Sequence, residues 1–155
     1  MFLRQTLVLP ALALLAAALF LAPAQTHPMS LTCSSGDATG TWINPKVPDT
    51  GTAEGKLLED GVETWLIRTD LEATPSGDLY TIQGDIRGKL ESLTSDTVYE
   101  LNGTYEGLRF SGAGTYLMTV TTAPGGVFVG EISGTFAHKP GKAYGTFDGT
   151  FELCP

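Results

Sequence analysis

Residues 79–91 alternate with a period of two. Tyr80, Ile82, Gly84, Ile86, Gly88 and Leu90 occupy the even positions, and Gln83, Asp85, Arg87, Lys89 and Glu91 the odd ones. An extended strand with one buried and one wet face satisfies such a repeat, whereas a helix would scatter both sets around its axis. The same rule runs through 97–106, 109–121, 127–137 and 143–154. Upstream the pattern is looser: 38–44 carries Trp42, and 52–59 and 62–71 flank Asp60-Gly61. That dipeptide suits a two-residue hairpin turn because it tolerates positive φ. Asn44-Pro45, Thr74-Pro75-Ser76-Gly77, Gly107, Pro124-Gly125-Gly126 and Lys139-Pro140-Gly141 mark the other connections. The reading is eight strands, short connections and no helix.

A local repeat reinforces the facing. Gly-Thr followed by an aromatic residue begins at Gly40, Gly103, Gly114, Gly134, Gly145 and Gly149. Glycine and ring share one face with threonine opposite, so the glycines let a sheet coil and make room for rings on neighbouring strands. This facing predicts that Tyr80, Ile82, Tyr99, Leu101, Phe110, Phe128, Ile132, Phe136, Phe147 and Phe151 are buried. Of the aromatic residues after position 24, Tyr144 alone is expected to point out.

The start of the chain reads as an export signal. Arg4 supplies a positive charge, residues 7–21 an apolar run broken by Pro10, and Ala22-Pro23-Ala24 a small-residue cleavage site. The run is shorter than the roughly 20 residues a membrane-spanning helix needs. The expected division is a signal peptide over 1–24, an extension over 25–37 and one β-barrel domain over 38–155, secreted or periplasmic. The full chain carries 9 Lys plus Arg against 17 Asp plus Glu. Loss of Arg4 leaves the exported part still more acidic, which argues against nucleic acid and anionic membranes as partners.

Cys33 and Cys154 are the two cysteines of the chain, one at each end of the domain. In an oxidising compartment they are expected to bond. In an antiparallel meander with an even number of strands, the start of the first and the end of the last lie at the same end, side by side once the sheet closes. The expected fold is therefore an all-β, eight-stranded antiparallel up-and-down meander barrel closed by a terminal disulfide. A β-sandwich is the alternative.

Gly40-Thr41-Trp42 on the first strand resembles the Gly-x-Trp signature of calycins, the lipocalin and avidin group of extracellular ligand-binding barrels. That resemblance implies a barrel with the tryptophan plugging one end. The glycine-rich stretch 108–115 is similar to the barrel strands of allene oxide cyclase and dirigent proteins. Neither likeness supplies a site residue.

Catalytic chemistry is thinly represented. The two histidines are His27, near the expected new N-terminus, and His138, and no serine stands in a strand-to-helix elbow. Zinc lacks ligands once both cysteines are bonded, and no calcium loop is recognisable. No cofactor or metal is expected. Asp148 and Glu152 project from one outward face, as solvated surface charge does, and Asn102-Gly103-Thr104 is a glycosylation sequon on a wet strand face.

The leading function is thus a soluble exported binding protein, non-catalytic, for a small ligand or a macromolecular partner. One alternative is an outer-membrane eight-stranded barrel whose glycine and aromatic face meets lipid. Another is a barrel enzyme of cyclase or isomerase type. The candidate ligand site lies at the end opposite the disulfide. There closure gathers Lys46, His138, Lys139 and Lys142 above inward rings of Trp42, Tyr80, Tyr105, Phe110 and Phe136. Aromatic walls under a positive rim suit a ligand with an anionic head and a flat or apolar body.

Overall fold

The computed structural model describes residues 32–43, 50–124, 126–138, 142 and 144–155. It contains eight strands: β1 (Ser34–Ile43), β2 (Thr50–Glu59), β3 (Val62–Thr74), β4 (Thr81–Ser92), β5 (Val98–Leu108), β6 (Ala113–Thr122), β7 (Phe128–His138) and β8 (Tyr144–Leu153). Each pairs antiparallel with its neighbours in sequence, and β1 closes on β8, so the sheet is an up-and-down barrel. Ten residue pairs join β1 to β8, from Ser34 opposite Leu153 to Ile43 opposite Tyr144. That seam rules out the sandwich, whose two sheets would leave these edges apart. Cys33 and Cys154 form a disulfide at the foot of the same seam. Asp60 and Gly61 take φ of 51° and 80°, the left-handed pair that a tight hairpin between β2 and β3 requires.

The register also fixes the bore. Trp42 lies opposite Ala53, then in turn Thr69, Gly88, Leu101, Val120, Gly130 and Leu153, which returns to β1 at Ser34. One circuit therefore descends from residue 42 to residue 34, a stagger of eight. Eight strands with that stagger enclose a narrow bore which side chains fill. The fully buried Leu57, Ile67, Leu90, Leu101, Val120 and Ile132 do so in the disulfide half.

Rings and glycines share the rest. Phe147 on β8 lies over Gly40 on β1 and Gly55 on β2, and Phe136 on β7 over Gly114 on β6 and Gly107 on β5. Tyr116 on β6 reaches past its register partner Gly134 to set its hydroxyl against Gly149 on β8. The Gly-Thr-aromatic repeat thus works across strands, each ring occupying space that a Cβ on the neighbouring strand would need.

Three aromatic positions depart from the expected facing. β4 begins at Thr81 and not at Leu79, so Tyr80 belongs to the β3–β4 connection and is 62% exposed. β6 begins at Ala113 and not at Arg109; the turn between β5 and β6 runs through 109–112, past Gly107, and leaves Phe110 78% exposed. Gly112, at φ 59°, makes that turn, and its carbonyl accepts from the His138 amide. Phe128 turns out because the β6–β7 register shifts: Val120 faces Gly130 but Thr121 faces Phe128, which leaves Val129 as an extra residue. Val129 takes the buried place and Phe128 the wet one. Tyr99 and Ile82 are partly buried against the core. At its start β1 extends to Ser34, four residues before the expected Ala38.

Outside, the mid-height positions of β2 to β5 carry Glu54, Lys56, Arg68, Asp70, Arg87, Lys89 and Glu100, in registers that set Glu54 opposite Arg68 and Lys89 opposite Glu100. The lipid-facing alternative needs the glycine and aromatic face on the outside, and here it is inside.

Candidate functional site

Beneath the end opposite the disulfide, the barrel interior holds a cavity of about 50 Å³. Its upper wall consists of inward residues near the far ends of their strands: Trp42, Leu71, Ile82, Tyr105 and Phe136. Tyr116, Met118 and Phe147 lie deeper along it. Trp42 meets Phe136 edge to face at 5.5 Å between ring centroids, and Phe136 meets Tyr105 in the same manner at 6.1 Å. The Trp42 indole NH donates to the Thr146 carbonyl at 3.2 Å, which holds the ring across the top of β8. Thr69, the buried polar residue of the core among the described residues, donates to the Ala53 carbonyl.

Among the described residues no carboxylate, imidazole, ammonium or guanidinium is part of the cavity wall, whose polar side-chain atoms are phenols, an indole NH and a threonine hydroxyl. Burial, and then the Asp148 carboxylate, pushes the Tyr116 phenol up to about 12; burial and then Asp85 raise Tyr105 as well. Both phenols are uncharged at neutral pH. The Tyr116 hydroxyl has no hydrogen-bond partner among the described residues. Such a wall offers apolar contact with little capacity to stabilise charge.

Trp42, Tyr105 and Phe136 of the expected set thus come together around one void. Tyr80 and Phe110 do not join them: they pair with each other on the rim at 5.8 Å, where the Arg109 amide donates to the Tyr80 carbonyl and ties the two connections together. Leu79 and Leu108 are exposed beside them, so the rim has an apolar stretch. His138 is half-buried with its ring 6.3 Å from that of Trp42, and a Cβ on Gly112 would collide with it. Lys142 is exposed on the same rim, while Lys46 and Lys139 lie outside the described residues. Sequence reasoning did not assign Tyr116, Phe147, Leu71 or Ile67 to the site. For the first two the signal was present in the Gly-Thr-aromatic repeat; for the others it lay in the weaker alternation of β3.

No family model, curated protein or solved structure matches the chain.

Proposed function

We propose that the chain is an exported, non-catalytic binding protein, released by cleavage near Ala24, which takes a small ligand at the mouth opposite the disulfide. The ligand's apolar end enters the cavity among Trp42, Tyr105 and Phe136. Its head, an anion, stays at the rim, where Lys142 stands and where the connections carrying Lys46 and Lys139 begin. The observation that carries this reading is the apolar void of about 50 Å³ at the far end of an otherwise filled barrel. A void of that size has room for about three or four water-sized groups, so the buried part of the ligand is short.

Hexanoate and benzoate are suitable first probes, because each joins a carboxylate to an apolar body. Titrating either into the protein should quench or shift tryptophan fluorescence and raise the melting temperature. Phe136→Ala, Lys139→Gln and Lys142→Gln should each alter the response, the lysine changes more at low salt. Absence of any response at millimolar probe would overturn the reading. A second reading, a macromolecular partner at the same mouth, is favoured by the exposed Leu79, Tyr80, Leu108 and Phe110. It predicts that Tyr80→Ser with Phe110→Ser leaves probe binding intact and abolishes partner capture.

A further inference from the structure

At the disulfide end, on the outside of the barrel, lies a second concavity unrelated to the mouth. It is a groove of about 430 Å³ bordered by Ser35, Phe128, Glu131, Ser133, Thr150 and Glu152. Three features bear on what it can hold. The first is Phe128, turned out by the extra residue Val129 and 60% exposed, although its place in the strand alternation would bury it. Bulges recur where a strand re-aims a side chain for use.

The second feature is the pairing of Glu131 directly opposite Glu152 across β7 and β8. Both are exposed. Like charges in facing positions oppose sheet pairing; Glu72 opposite Asp85 across β3 and β4 is a like pair too, so the carboxylates count here because the exposed Phe128 ring borders the same groove. The third feature is sign. The outward faces of β6, β7, β8 and β1 carry Asp37, Glu131, Asp148 and Glu152, and no lysine or arginine occurs anywhere in these four strands. Asp148 is engaged, accepting from the Thr39 hydroxyl at 2.9 Å. Glu131 and Glu152 face only hydroxyl residues beyond each other in the register, Thr119 on one side and Ser35 on the other.

We propose that this groove seats an extended, lysine- or arginine-bearing segment of a partner protein. One cationic head lies between Glu131 and Glu152, with its aliphatic stem along the Phe128 ring. Two carboxylates beside an aromatic face suit an ammonium or guanidinium group, which gains from the charge pair and from the ring quadrupole together. Exposed charge pairs are individually weak, so a free amine gains little here and several contacts along a chain are needed. The length of the groove over three strands, and the Ser133 and Thr150 hydroxyls on its wall, provide for those contacts. Charge complementarity selects this occupant, since a second copy would bring the same acidic face and be repelled.

The test uses the exported chain, labelled with ¹⁵N, and the peptide acetyl-Lys-Leu-Lys-Leu-Lys-amide. Amides of 128–133 and 150–154 should shift on titration, and the affinity should fall between 20 and 150 mM salt. Glu131→Gln with Glu152→Gln should weaken binding about fivefold or more, and Phe128→Ser about threefold. Glu54→Gln with Glu100→Gln, on the opposite face, should leave it unchanged. Equal loss in both glutamine pairs would mean general attraction to an acidic protein and overturn the proposal, as would undiminished binding by the Glu131/Glu152 variant. Butylamine binding as tightly as the peptide would make this a small-amine site instead. Groove shifts that follow protein concentration alone would assign it to a second copy. Each of these outcomes is separate from the fate of the mouth site, which none of these variants touches.

Discussion

The ring of Phe147 occupies the place where a side chain on Gly40 would stand: a Cβ there would lie 2.5 Å from two of its carbons and 2.3 Å from the Glu54 carbonyl oxygen. Gly40→Ala is therefore expected to destabilise the barrel by about 1–3 kcal/mol, because the β2 backbone at Glu54 is held in the β1–β2 ladder and cannot withdraw even where the ring shifts toward the cavity. Gly77 has nothing within 4 Å of the same position and no positive φ, so Gly77→Ala should be neutral or stabilising by about 0.4–1 kcal/mol. Urea denaturation of the two variants separates these outcomes, and equal effects would show that the ring does not fix Gly40.

Phe147 and Phe110 have the same side chain in opposite surroundings, 5% and 78% exposed. Phe147→Ala should cost about 3–5 kcal/mol as a large-to-small core change. Phe110→Ala should stay within about 0.5 kcal/mol. Chemical denaturation checks both, and a large loss at Phe110 would place it inside the barrel after all.

The buried Tyr116 hydroxyl has no partner among the described residues, so Tyr116→Phe should be neutral or stabilising by up to about 1–3 kcal/mol. The same burial makes stability depend on alkaline pH. With the folded phenol raised from 10.0 to about 12, the folded state holds its proton longer than the unfolded state does. The stabilisation is fully present below about pH 10 and is lost as pH rises through about 12, a change on the order of 2–3 kcal/mol. Tyr116→Phe should flatten that decline. Stability against pH from 8 to 12 measures it, and an unchanged slope in the variant would contradict the assignment.

Reducing the Cys33–Cys154 bond opens a loop whose ends are 121 residues apart and should cost about 4–5 kcal/mol in the chain-entropy account. The ten pairs of the β1–β8 seam remain, so Cys33→Ser with Cys154→Ser should still give a closed barrel with a lower denaturation midpoint. Circular dichroism together with urea titration reads both quantities. Loss of strand signal without denaturant would mean that the seam alone does not hold.

Much of this architecture is legible in the residues because one face of nearly every strand is buried, and a slip of one residue would turn that face to water. Tyr99, Leu101, Ile132, Phe136 and Phe151 obey that rule. Tyr80 and Phe110 did not, because a turn residue next to a strand carries the same alternation by chance and nothing local says where hydrogen bonding stops. Phe128 failed for another reason. A bulge changes parity, and the glycines beside it do not reveal it: Gly125 and Gly126 read as part of the turn and Gly130 as one of the inward set, so nothing singles out Val129 as an extra residue. At the mouth, Trp42, Tyr105 and Phe136 could be read from facing plus strand order. The depth of the cavity could not, since it depends on the stagger of eight, a property of the whole circuit that no single strand contains.

Cys33 and Cys154 stand 4.1 Å apart between Cα atoms, at the same end of the barrel as the Asp60-Gly61 turn. In topological terms the eight strands form a ring that the polypeptide enters and leaves at a single seam, and any of its tight turns is an equivalent point of entry. A chain rejoined by a short linker from Pro155 to Thr32 and opened between Asp60 and Gly61 would keep every strand beside its present neighbours. The order of synthesis, and so the hairpin available to form first, would be the part that changes. Such a circular permutant would separate what the barrel owes to its closed geometry from what it owes to the direction in which it is made.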